Sequence, residues 1–201
     1  MIGSTGVVEP PMLTDGVLVL RPPLPSDRAD RQAYGSHPEI ARMYGIDLDA
    51  PRGMSDEAAD HWYQRVRDDP LAWVIEVQGR CVGVARLHSV VQRDRRARYA
   101  IGLFHPDFLG QGIGTRATRL VLSYAFDQMQ LHRVDLRVLT YNARAIDCYR
   151  RCGFVEEGVE RETAYMNGAW YDDLMMSVLE HEYRAPGPSA RGLVLSAERG
   201  Y

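Results

Sequence analysis

The stretch FHPDFLGQGIGTRATRLVLSYAF, residues 104–126, carries Gly110, Gly112 and Gly114 and then turns helical. Glycines this dense weaken a regular element, so they belong where a backbone bends sharply or comes close to something else. Before the loop, Ala97, Tyr99, Ile101 and Leu103 fall on one face of residues 97–104, the period of a strand. After it, Ala117, Leu120, Val121, Tyr124 and Ala125 follow helical spacing from about Thr115 to Met129, with Leu122, Phe126 and Met129 widening the apolar arc. A glycine loop between a strand and a helix leaves free N–H groups at the positive end of the helix dipole, which suits phosphate oxygens.

Outward from this unit, the pattern predicts strand, helices, three strands, helix, strand, helix and two strands. VLVLRP, 17–22, reads as a strand stopped by Pro22 and Pro23. Ser26 and Ser55 are placed to cap polar helices, the second over 55–69, and 37–54 reads as irregular. AWVIEV and CVGVARLHSV are strands joined at Gln78-Gly79. RVDLRVLT, 133–140, alternates Val134, Leu136 and Val138. Asn142 then caps a helix that Gly153 ends. FVEEGVERETAYM and AWYDDLMMSVLEHEY form a final hairpin about Asn167-Gly168. The fold class is α+β with a mixed central sheet. Residues 1–16 read as an N-terminal extension, 17–183 as the domain, and 184–201 as a tail in which LVLS, 193–196, is able to dock.

The 201 residues suit one domain with a real core. A net charge of −3 argues against general nucleic-acid binding, and all 24 basic residues are arginine. Cys81, Cys148 and Cys152 have no metal spacing and read as reduced thiols in a cytosol. The start of the chain has no basic, then apolar, leader pattern, and no apolar run is long enough to span a membrane. The six histidines are scattered, so no metal site is expected.

Three uses of the loop fit its physics. A P-loop needs Gly-Lys-Ser/Thr, and the chain has Gly114-Thr115-Arg116. A dinucleotide fingerprint needs glycine at Thr115 and an acid ending the next parallel strand, which RVDLRVL does not offer cleanly. Glycines that merely permit a tight turn are the third. FLGQGIGTRA followed one strand later by NARAIDCYRRCGF resembles the GNAT superfamily of acetyl-CoA-dependent N-acetyltransferases, most closely the branch of ribosomal-protein-alanine and spermidine/spermine acetyltransferases. The resemblance runs from about Val17 to Tyr183 and includes the Asn-Gly-x-Trp-Tyr-Asp hairpin. It implies a mostly antiparallel sheet splayed in the middle, between 97–104 and 133–139, and a homodimer or larger assembly. Leu109 stands where the family has Gln or Arg, which removes one side-chain donor to the phosphates.

The resemblance assigns roles. Acetyl-CoA is the co-substrate: its pantetheine pairs with the strand around Ile101 and Leu103, and its pyrophosphate sits on Leu109, Gly110, Gln111, Gly112, Ile113, Gly114 and Thr115. A backbone N–H near Leu103 or Phe104 takes the oxyanion. Asn142, with Ala145, touches the coenzyme arm, and Tyr149 protonates the departing sulfur. By themselves, Asn142 also reads as a helix cap and Tyr149 as a core residue. An alkylamine of pKa ~10 is neutral in about one molecule per thousand at pH 7, roughly 4 kcal/mol for a base to supply. The position of the family's fourth-strand acid is Arg98, which cannot serve. Asp135, Asp172, Asp173 and Glu76 are the alternatives.

For the acceptor, acids around 35–60 and on the closing hairpin, with aromatic residues beside them, suit a small cationic amine. Glu39, Tyr44, Asp135 and Asp172 are the expected contacts. An aminoglycoside antibiotic and a polyamine such as spermidine rank level, and a protein N-terminus follows. Two other classes stay open: a GNAT domain that binds acyl-CoA without turnover, which Arg98 would favour, and a Rossmann-type reductase. The expected setting is the cytoplasm, with no nucleic acid and no membrane.

Overall fold

The computed structural model describes residues 10–185. One eight-stranded sheet has the order β1-β2-β3-β4-β5-β6-β8-β7. Its strands are β1 (Leu13–Thr14), β2 (Val19–Arg21), β3 (Ala72–Val77), β4 (Arg80–Val91), β5 (Arg96–Leu103), β6 (Arg133–Leu139), β7 (Val155–Met166) and β8 (Ala169–Leu179). Every neighbouring pair is antiparallel except β5–β6. That parallel pair has three rungs, Arg96↔Arg133, Ala97↔Val134 and Arg98↔Asp135, after which the strands part.

Local chemistry sets the turns. Gln78 and Gly79 hold φ of 50° and 75°, and Asn167 and Gly168 hold 50° and 77°, the two left-handed residues that match a hairpin to strand twist. The period of two gives the sheet two different faces. Leu87, Ala97, Tyr99, Val134, Leu136, Met176 and Val178 are buried on one of them. They pack with Ala117, Val121, Leu122 and Phe126 from α4 (Ile113–Ser123) and its π-helical continuation Tyr124–Gln128. The helices α1 (Asp27–Tyr34), α2 (Pro38–Arg42) and α3 (Asp56–Arg67) precede the central strands. A smaller cluster under α3 joins Trp62 and Val66 to Ala72, Val74 and Cys81. Phe126 and Trp73 are each fully buried; a side chain of that kind contributes about 2–3 kcal/mol by leaving water.

Four expectations change. Leu13 and Thr14, inside the expected extension, pair with Leu20 and Val19 as β1. The segment 37–54 is not wholly irregular: α2 forms with Pro38 at its start and the His37 ring accepting from the Glu39 N–H at 3.2 Å. Five residues are too few to show a helical period. Ser26 caps nothing with its side chain; buried Asp27 instead receives Arg21 at 2.8 and 2.9 Å and the Leu24 N–H at 2.6 Å. The last strand ends at Leu179, and Glu180–Arg184 close as α6, with the Glu182 carboxylate accepting from the Leu179 N–H. The LVLS stretch lies outside the described residues.

Candidate active site

The glycine loop forms as its sequence demands. Gly110 and Gly112 hold φ of 75° and 77°, a region costly for any residue with a Cβ. Gly112 caps α4, and the first ladder bond of that helix runs from the Arg116 N–H to the Gly112 carbonyl at 3.0 Å. Among the described residues, the amides of Gln111 to Thr115 have no backbone acceptor outside the helix ladder. They form a cluster of donors at a helix N-terminus, the geometry that holds a phosphate group. Arg116, Arg119 and Arg151 line the same end of the adjoining cavity. Arg116 is itself held by Asp15 at 2.7 Å.

That cavity, of about 1240 Å³, is lined from both faces of the sheet. It therefore passes through the split between β5 and β6. The ladder decides which amides face it. Phe104 N–H donates to the Val82 carbonyl at 3.0 Å, so alternation turns the backbone groups of Ile101 and Leu103 away from β4 and toward the split. Of the two expected oxyanion donors, Leu103 faces the cleft and Phe104 does not. Phe104 packs edge-on against Trp62 at 5.6 Å and under the Arg31 guanidinium at 4.8 Å, outside the cavity lining. Gln111 also lies outside it, bonded to the Asp107 carbonyl.

The free carbonyl of Ile101 is met by Tyr44, whose hydroxyl donates to it at 2.9 Å. Tyr44 lines the cavity while half of the residue is exposed, and burial pushes the phenol up to about 12. A Cβ at position 102 would collide with that hydroxyl and push the Tyr44 tip aside. The segment carrying Tyr44 is tied to the far wall of the cleft. Tyr141 Oη donates to the Arg42 carbonyl at 2.5 Å, Arg144 meets Glu39 at 3.1 Å, and Asp47 accepts from the Asn167 N–H at 2.9 Å.

Opposite β5, Asn142 Oδ1 accepts from the Ala145 N–H at 3.2 Å and caps α5 (Ala143–Arg151). Both residues line the cavity. One helical turn further, Tyr149 packs its ring against Tyr99 at 6.4 Å and Phe154 at 5.7 Å. Burial raises its pKa well above the phenol range, so it stays protonated. The Tyr99 hydroxyl bonds to Thr118 at 3.0 Å. Tyr149 has no such partner among the described residues, yet none of their fully buried side-chain oxygens is left unsatisfied. The Tyr149 hydroxyl is thus open to the cavity as a donor. Cys148, beside it, lines the wall with its sulfur 3.3 Å from Thr115 Oγ1.

The acids expected at the acceptor are mostly engaged elsewhere. Asp135 is buried, held by Arg98 Nε at 2.7 Å and Arg133 Nε at 3.6 Å, and is outside the cavity lining. Asp172 turns to the outer hairpin and accepts from the Glu162 N–H at 2.8 Å. Glu39 sits at the rim, paired with Arg144. Glu76 belongs to a distant edge, on Arg21 at 2.5 Å. Asp173 is a buried carboxylate that lines the cavity on the sheet face away from α4, 3.7 Å from Arg137 Nε. His88, Arg86 and Arg137 were missed as site residues, and all three line it. His88 is the cross-strand partner of Arg98, a placement that only the β4–β5 register reveals. Burial, then Arg86 and Arg98, lower the His88 pKa, so the ring is neutral at pH 7. No group of three metal-ligating side chains occurs among the described residues.

Residues 18–155 match the model of the acetyltransferase (GNAT) domain. The spermidine N(1)-acetyltransferase of Escherichia coli K12 is 30% identical over 130 residues, 64% of this chain and 69% of that protein. The Vibrio cholerae spermidine N(1)-acetyltransferase is 28% identical over 138 residues, covering 68% and 79%. Among solved structures, V. cholerae spermidine N-acetyltransferase in complex with CoA and spermine superposes with a TM-score of 0.69 at 25% identity, over 84% of this chain and 99% of that one. An acetyltransferase from T. thermophilus gives 0.73 at 25% identity, over 90% and 95%.

Proposed function

The chain belongs to the GNAT acetyltransferase family and is an acetyl-CoA-dependent acetyltransferase, and from that premise we propose that it acetylates a primary amine by direct transfer through the split between β5 and β6. One observation carries this route: the same cavity has the donors of Gly112 to Thr115 at one mouth and the free Tyr149 hydroxyl and Leu103 amide edge at its waist. The loop holds the pyrophosphate, and the arm runs along Ile101 and Leu103 after displacing the Tyr44 hydroxyl. The neutral amine attacks the thioester carbonyl carbon, and the Leu103 N–H donates to the oxyanion that develops. As the C–S bond breaks, Tyr149 gives its proton to the leaving sulfur. The amine's proton goes to the neutral His88 ring, one strand away from the vertex of the split in the same row as Arg98.

A polycationic acceptor draws support from the spermidine acetyltransferases among the relatives. An aminoglycoside and a protein N-terminus are the other candidates from the sequence. The test is thiol release from acetyl-CoA with spermidine, spermine, a kanamycin-type aminoglycoside and an alanine-starting peptide. Amine-dependent release supports transfer. Tight acetyl-CoA binding with no release for any amine, including those named below, would mean a domain that binds the coenzyme without turnover.

A further inference from the structure

The acceptor mouth opens on the face of the sheet away from α4, and its side chains can be placed row by row. His88, Arg98, Asp135 and Ser177 make one row across β4, β5, β6 and β8. Arg98 and Asp135 close the last parallel rung with their 2.7 Å ion pair. The next row on the same face, just past the vertex, places Arg86 on β4, Ala100 on β5 and Arg137 on β6. Arg86 and Arg137 thus stand on either side of a small residue, at the edge where the strands part. Asp173, across from Leu139, lies one row further out. Arg137 is 3.7 Å from Asp173, and Arg86 has no carboxylate at ion-pair distance among the described residues.

We infer that the amine acceptor carries a carboxylate close to its amino group, as an amino acid does, with Arg86 and Arg137 taking the carboxylate and Asp173 receiving the ammonium. This rests on the transfer reading above. Guanidinium forks match carboxylate geometry with paired hydrogen bonds, which an ammonium-only ligand cannot use. A polyamine entering here would meet the guanidinium groups of Arg86 and Arg137, with Arg98 behind them already paired to Asp135, against the one carboxylate of Asp173. An amino acid presents both charges in the order that the rows provide. The small side chain of Ala100, which lines the cavity between Arg86 and Arg137, leaves room over the split for the amine to reach the thioester.

The experiment supplies full-length protein and acetyl-CoA with a pool of free amino acids, the matching pool of amino acid carboxamides, or spermidine. Acetylated products are read by mass spectrometry, and kcat/KM is measured for the best acid and its carboxamide. The expected result is a preference for the free acid of at least tenfold. Arg86→Gln should collapse that preference by about tenfold and Arg86→Lys should restore part of it, with the acetyl-CoA dissociation constant within twofold of the parent. Arg86 is exposed, so neither variant threatens the fold. Faster turnover of spermidine or of the carboxamide, or a preference that Arg86→Gln does not move, overturns the inference while leaving the transferase reading intact. Acetyl-CoA binding without product from any amine overturns both.

Discussion

The ion pair at the vertex of the split is open to a double-mutant cycle. Asp135 keeps 5% of its side chain exposed and Arg98 keeps 33%, with 2.7 Å between them. Breaking a buried pair from one side costs about 3–5 kcal/mol because the other charge is stranded. Asp135→Leu strands Arg98, which reaches water through the cleft, so we expect a loss below that range, about 2 kcal/mol. Arg98→Met strands the more deeply buried carboxylate, which keeps only Arg133 at 3.6 Å. That loss should be larger, about 3 kcal/mol. The double variant puts two apolar side chains at the rung and should lose about 1 kcal/mol or less, since apolar replacement of a buried pair is often neutral. The coupling would then be about 4 kcal/mol, well outside additivity. Urea unfolding of the four proteins measures it. Additive losses, within about 0.5 kcal/mol, would refute the view that this pair fixes the vertex.

Other outcomes follow from the same cavity. Tyr149→Phe should lower kcat by about 100-fold or more while acetyl-CoA affinity barely changes, because a hydroxyl is removed and the ring packing kept; a parent-like rate would end the acid role. Gly112→Asp puts a side chain at φ 77° and a carboxylate before the donor cluster. Calorimetry should show acetyl-CoA affinity reduced by roughly 100-fold or more, about 2.7 kcal/mol, in a protein that remains folded. Since the His88 pKa is lowered from 6.5, the free base prevails at neutral pH and kcat/KM should fall only on acidification below the usual imidazole range. His88→Gln should abolish that acid limb together with most of the rate. An unchanged limb would move the base to Asp173. Cys148 lines the cavity proposed for the coenzyme, so bound coenzyme A should slow its alkylation by iodoacetamide several-fold, and equal labelling with and without coenzyme would place the ligand elsewhere.

How much of this was legible depended on the range of the interactions. The glycine loop, the strand before it and the helix after it were readable because each is set by local spacing: positive φ at Gly110 and Gly112, alternation at Ala97 to Leu103, and an apolar stripe from Ala117 to Phe126. Tyr149 could be placed on α5 by period, but its free hydroxyl depends on Tyr99 having Thr118 as partner, which only packing reveals. The acceptor acids failed for the same reason. Asp135 and Asp172 carry the right charge, and nothing local says that Arg98 and the Glu162 amide already hold them. His88 and Arg137 needed the register across β4, β5 and β6, a long-range property that one strand's alternation does not contain.

The three rungs between β5 and β6 have a consequence for how the chain is held together. Strands β1 to β5 form one antiparallel block, and β6, β8 and β7 form another, so among the described residues this short ladder is the only strand pairing that joins the two. A ligand lying along the split touches both blocks and supplies continuity where the ladder ends. At a hundred times its dissociation constant, such a ligand adds about 2.7 kcal/mol against unfolding. Amide exchange should therefore slow most along the seam itself, at residues 96–98 and 133–135, rather than evenly across the sheet. The coenzyme would then act as a structural member of the fold as well as a reactant.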